Sequence, residues 1–258
     1  MARWMLIVGA VLVVLLIAGT ILAFALATAK KRREGSVRDA DPTPVVRVAR
    51  IVAVVWAVVA AAGALANLLV PLLSPGVAIT MPVQEFWPQL PSSVTLDTGE
   101  VSRVSGGFTS VTLTVDGLGV AARVLWALSQ MIAWAIPGVA ALFVAVACSR
   151  LLTGAAFAPV VAKMAATTGA VIAFGGVAAQ VMGDIAGSIA STQLFGSKGG
   201  GWEGDYAGID NVFDAWVPAA TVQVSFPFWP IAVGLAFAVL AAILRYGSRL
   251  QNDVKGLV

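Results

Sequence analysis

Five polar residues interrupt long apolar runs in this 258-residue chain: Asn67, Ser129, Gln130, Gln180 and Asp184. Polar groups inside hydrocarbon are costly, so each is a candidate for ligand binding, for proton or cation handling, or for packing between helices. Gln180 and Asp184 are four positions apart, which places them on one face of a helix. Asp184 is the only acidic residue inside a predicted span. It can serve as a proton or cation site, or sense something bound from outside. Equally, it can hydrogen-bond Asn67 or Gln130 and hold helices together. The residue pattern leaves both readings open.

Other chemistries are narrowed by what is missing. The chain has no histidine, which removes imidazole as base, haem ligand or zinc ligand. Its single cysteine, Cys148, forms no internal disulfide, redox pair or thiolate cage, and its place at the end of an apolar run predicts an inert thiol. Ser149 and Lys163 flank one connection but are too plain a pair to carry an enzyme assignment. Four carboxylates, Glu203, Asp205, Asp210 and Asp214, follow a glycine run without the spacing of an EF-hand loop. They read as a solvated acidic loop. The expectation is therefore a protein that is not an enzyme, with no cofactor and no metal.

The elements that position these residues follow from composition. Of all residues 59% are hydrophobic and only 11% charged, a balance that excludes a soluble enzyme, a disordered chain and a disulfide scaffold. Five segments are long enough to cross ~30 Å of hydrocarbon: Trp4–Ala29, Val48–Leu73, Ala122–Val146, Val161–Gly187 and Phe226–Leu244. Twelve of the sixteen Lys and Arg fall on one side of this threading, in residues 30–50, at Arg150 and Lys163, and at Arg245, Arg249 and Lys255. The positive-inside rule then puts the amino terminus outside and the carboxyl terminus in the cytoplasm. Six tryptophans, Trp4, Trp87, Trp126, Trp202, Trp216 and Trp229, fall at or beyond the outer ends, as an interfacial belt does. Ala25-Leu26-Ala27 resembles a signal-peptidase site, but the apolar run before it is long and Lys30–Arg33 follow directly, so the first helix is expected to stay uncleaved.

The predicted fold class is an all-α integral membrane bundle of five transmembrane helices with a small extracytoplasmic β-meander or hairpin. Its parts are a first helix over 1–29, a basic cytoplasmic loop over 30–47 and a four-helix domain over 48–258. Within the last, 74–120 forms the outer β-loop, 188–225 the acidic Gly-rich outer loop and 245–258 the cytoplasmic tail. Alternation over 94–96, 101–104 and 108–115, broken by Gly99 and Gly106-Gly107, carries the β assignment. This β-loop is either a ligand- or partner-sensing lid or a structured connector. Ala162, Ala166, Ala170, Ala179, Gly183 and Gly187 give the fourth span small residues at close-packing intervals, suited to a central helix or to a contact between copies through 161–187. Lys30, Lys31, Arg32 and Arg33 read as an orientation and lipid-headgroup anchor.

Two stretches resemble a known pattern. Gly154-Ala155-Ala156-Phe157-Ala158-Pro159, followed by Lys163 and Gly169, is similar to the cytoplasmic turn of the YoaS-like bacterial multi-pass proteins, a domain family without an established activity. The end, Arg245-Tyr246-Gly247-Ser248-Arg249-Leu250-Gln251-Asn252-Asp253, is similar to that family's C-terminal signature. Ala158 and Val160 depart from it, replacing polar residues and an Arg. The resemblance spans about 48–258, leaves the first helix as an addition and brings no catalytic residues. It implies a membrane-held regulatory partner, since such proteins accompany small helix-turn-helix regulators.

The resulting functional expectation is a non-catalytic protein of the bacterial plasma membrane: a sensor or accessory subunit of a cytoplasmic regulator or larger membrane complex, with no direct nucleic-acid contact. Its docking residues would be Phe157, Arg245, Arg249, Leu250, Val254 and Leu257, the last three continuing helical spacing past the membrane. The alternative is a small transporter or channel built on the cluster around Asp184.

Overall fold

The structure, a computed structural model, describes residues 43–95, 103–197 and 200–255. The expected first helix, the Lys30–Arg33 cluster and Leu257 lie outside the described residues. The described chain is mostly helical. Four long helices, α1 (Thr43–Leu73), α2 (Val120–Leu152), α3 (Pro159–Phe195) and α5 (Trp229–Lys255), are joined by a two-stranded sheet, β1 (Val77–Phe86) and β2 (Phe108–Val115), and a short helix α4 (Val212–Trp216). All four long helices are long and apolar enough to cross a membrane. Each runs past its predicted limits at one end or both. In α5 the helix continues over 245–255, and in α3 residues 188–195 are helix rather than the start of a loop.

Two compact units share these helices. One contains residues 43–61, 136–172 and 233–255, and is called the turn unit here. The other, the hairpin unit, contains 62–135 and 173–232.

In the turn unit, Phe143, Val161, Ala165 and Ala241 form the core, with Phe237 meeting Phe143 edge to face. Small residues let backbones approach. A Cβ at Gly169 would lie 2.8 Å from the carbonyl oxygen of Gly234, and Gly138 faces Ala60. The α2–α3 connection is a Schellman cap: Ala155 N donates to Arg150 O (2.9 Å) and Gly154 N to Leu151 O (3.1 Å). The geometry requires a left-handed residue, supplied by Gly154 at φ +71. Pro159 opens α3, where a missing N–H is harmless.

In the hairpin unit, β1 alternates buried Val77, Ile79, Met81 and Val83 with partners turned the other way. The buried row packs on Leu118 and Ala122 of the α2 start and on Ala186 and Ala190 of α3. The strands pair antiparallel from Val77 opposite Val115 to Phe86 opposite Phe108, with an irregularity between Pro82 and Phe86. This corrects the strand assignment made from sequence. Residues 94–95 and 103–104 are not strand, 96–102 lie outside the described residues, and β2 instead pairs with a segment just after α1. The reason is packing: β1 carries four large apolar residues on one face, enough to cover two helix ends, which Val94 and Val104 do not match. Both of those are exposed. Beyond the sheet, Gln84 N donates to Ala219 O and Gln89 N to Ala215 O, so the segment around α4 runs alongside the hairpin strand.

Candidate functional site

The site lies in the hairpin unit and is built mainly on α3. Ser191, Ser188 and Asp184 lie along this helix at intervals of three and four, so they share a face. An extended segment, Thr221–Ser225, runs along that face. Alternate residues of an extended chain recur about every 6.6 Å and helical ones three or four apart about every 5–6 Å, so the two periods nearly match. The result is a ladder. Thr221 N donates to Ser191 Oγ (3.4 Å), Gln223 N to Ser188 Oγ (3.1 Å) and Ser225 N to Asp184 Oδ2 (2.7 Å). Ser191 Oγ donates in turn to Pro82 O of β1 (2.6 Å), which connects the sheet to the same ladder.

At its Asp184 end the ladder opens into a cavity of about 420 Å³. Asp184 Oδ2 also accepts from Ser225 Oγ (2.6 Å), and Oδ1 accepts from Gln180 Nε2 (2.8 Å). The second Gln180 amide hydrogen serves Ser225 Oγ (3.3 Å). Across the cavity stand Trp126, Ser129 and Gln130 of α2, with Thr80 and Ser110 of the sheet above. Ser129 is buried and donates to Ala179 O at 2.7 Å. Gly183 makes this approach feasible, since a Cβ there would lie 2.8 Å from Ser129 Oγ.

Four of the five polar residues singled out in the sequence therefore converge: Ser129, Gln130, Gln180 and Asp184 all line one cavity. Asn67 does not join them. It donates to the carbonyl of Gly63, one turn back on its own helix (2.9 Å). Asp184 is likewise held by Gln180 and Ser225 rather than by Asn67 or Gln130. The sequence reading missed Ser188, Ser191 and Ser225, because the first two appeared to lie in a loop. Once α3 is known to reach Phe195, the polar stripe 184–188–191 is visible in the sequence.

No family model, curated protein or solved structure matches the chain.

The cavity wall contains one carboxylate and no Lys or Arg. Among the described residues no three Asp, Glu or Cys side chains come together as metal ligands, and of the acidic residues after Gly201, Asp214 accepts at Oδ2 from Asn211, which also caps α4 (2.9 Å). A second cavity, about 390 Å³, lies in the turn unit. Its wall is largely aliphatic, with Val54, Leu142 and Val146, and Arg150 stands at its edge.

The remaining sequence-derived candidates are also in the turn unit. Phe157 lies on Gly247, where a Cβ would come within 2.6 Å of the ring, so the stretches 154–159 and 245–253 meet in space. Arg245, Arg249 and Leu250 are exposed, and Val254 lies on the last turns of α5. Ser149 donates to Ala145 O (2.7 Å), which engages its hydroxyl within its own helix. Cys148 is a free, half-buried thiol.

Proposed function

We propose that the protein is a non-catalytic multi-pass protein of a bacterial plasma membrane, acting as a membrane-embedded sensor or accessory subunit. In this reading five helices cross the bilayer, the amino terminus and the hairpin unit face outward, and α5 ends in the cytoplasm. The observation that carries the proposal is the convergence of α2, α3, both strands and the 223–225 segment on one polar cavity. A connector would not need five chain segments to enclose a carboxylate. Its volume falls within the ~300–1,000 Å³ range of small-molecule sites. Occupancy would change the contacts of 223–225, which leads directly into α5, and α5 carries the exposed Arg245, Arg249 and Leu250 toward a cytoplasmic partner.

The test is affinity purification of the full chain in mild detergent beside a version lacking 250–258. The truncated chain is expected to lose a cytoplasmic protein that the full chain retains. Identical co-purification refutes the proposal, as does a carboxyl-terminal tag accessible from outside intact cells.

A second reading, a small transporter or channel, draws on the same carboxylate. It predicts that Asp184→Asn abolishes a flux in liposomes.

A further inference from the structure

Resting on the reading above of a sensor that receives a ligand in this cavity, we infer that the cavity around Asp184 binds a small organic monocation, an ammonium compound. Three features of the wall lead there.

The first is its hydrogen-bond balance. Gln180 has both amide hydrogens engaged, on Asp184 Oδ1 and on Ser225 Oγ. Ser225 directs both its N–H and its hydroxyl to Asp184 Oδ2, and Ser129 directs its hydroxyl to Ala179 O. Immediately around the carboxylate, then, the donors are taken, while acceptors remain open. A carboxylate has about four lone-pair sites, and Asp184 uses three. The Gln180 carbonyl oxygen and the Ser129 lone pairs are also available. The surroundings of Asp184 therefore suit a group that only donates, as an ammonium does, while Gln130 and Ser110 elsewhere in the wall can meet a polar part of the same compound.

The second feature is charge. One carboxylate with no basic side chain in the wall favours a cation and disfavours an anion. Among the described residues no group of three Asp, Glu or Cys side chains gathers here as a calcium site would ask. The third is Trp126, an aromatic side chain in the same wall, of a type whose ring face attracts organic cations.

Labelling rates in the full chain test this. Ser110 is exposed on β2 and lines the cavity. In a Cys148→Ala background, Ser110→Cys is the only thiol, and it is challenged with two methanethiosulfonates, one bearing trimethylammonium and one bearing sulfonate. After correction for their intrinsic reactivity, the cationic reagent is expected to react roughly tenfold faster. Ethanolammonium should slow the labelling and glycolate should not. Asp184→Asn should remove both effects, whereas Ser225→Ala, which keeps the carboxylate, should retain the charge preference. Equal rates for the two reagents, or protection by glycolate, overturn the cation assignment and leave the sensor reading standing. Failure of both reagents to reach the thiol overturns both.

Discussion

Gly187 is where α3 touches the backbone of β1, and Gly187→Ala separates two opposing effects. A Cβ at this position would lie 2.5 Å from the carbonyl oxygen of Thr80 and 3.3 Å from Pro82 Cδ. Carbon–oxygen contacts of this kind normally close to ~3.3 Å, so the strand would have to retreat by about 0.8 Å. That retreat loosens the packing of Ile79 and Met81 on Ala186 and Ala190, and it stretches the Ser191–Pro82 hydrogen bond. Overpacking of this size costs about 1–3 kcal/mol, and a weakened hydrogen bond adds up to about 1 kcal/mol. Alanine gains about 0.8–1 kcal/mol over glycine within a helix. The net expectation is a loss of up to about 3 kcal/mol, centred on ~1.5 kcal/mol. Gly183→Ala is the matched control, because its Cβ would meet Ser129 Oγ at 2.8 Å, and a hydroxyl rotates aside more easily than a strand moves. It should come out near zero. Reversible unfolding by SDS titration in mixed micelles, followed by tryptophan fluorescence, measures both variants. Gly187→Ala at or above wild-type stability, or equal shifts for the two glycines, would refute the reasoning.

Two further outcomes follow from contacts described above. Ser188→Ala with Ser191→Ala removes two rungs of the ladder, so amide exchange at Thr221 and Gln223 should rise roughly fivefold for each ~1 kcal/mol lost, while exchange in the core of α2 stays unchanged. Gly247→Ala forces the Phe157 ring away and should destabilise by about 1–3 kcal/mol, whereas the same change in a Phe157→Ala background should have little effect. Additive effects in that cycle would show that the ring does not rest on Gly247.

The four long helices were legible because length and hydropathy decide them, and tertiary contacts matter little to that signal. The cavity was half legible. Gln180 and Asp184 reveal their shared face by spacing alone, and Ser129 and Gln130 are conspicuous among aliphatic neighbours. Asn67 has the same sequence signal but satisfies itself on Gly63, and no pattern distinguishes an intrahelical hydrogen bond from an interhelical one. β1 was hidden for a different reason. Its Val77, Ile79, Met81 and Val83 do alternate, yet Pro82 and Ala78 are poor strand residues and the segment directly follows a helix. Pro82 is tolerated because its carbonyl, rather than an N–H, makes the contact to Ser191. The long-range rungs between 184–191 and 221–225 join stretches that no local pattern relates.

Arg123 gives the hairpin an unusual base. Its guanidinium donates to Ser74 O (3.0 Å) and Pro75 O (2.8 Å), fastening the end of α1 to the start of α2. Main-chain carbonyls are the same whatever residue carries them, so this fastening does not depend on side-chain identity at 74 and 75. The two feet of the excursion are held together at the helix ends, and lengthening a closed loop is inexpensive, about 0.6 kcal/mol per doubling. Beyond Val94, past the hydrogen bonds that tie Gln89 and Ser92 to residues 207–216, the excursion can therefore accept grafted sequence, a peptide tag or a whole inserted domain, without disturbing the helices that carry it.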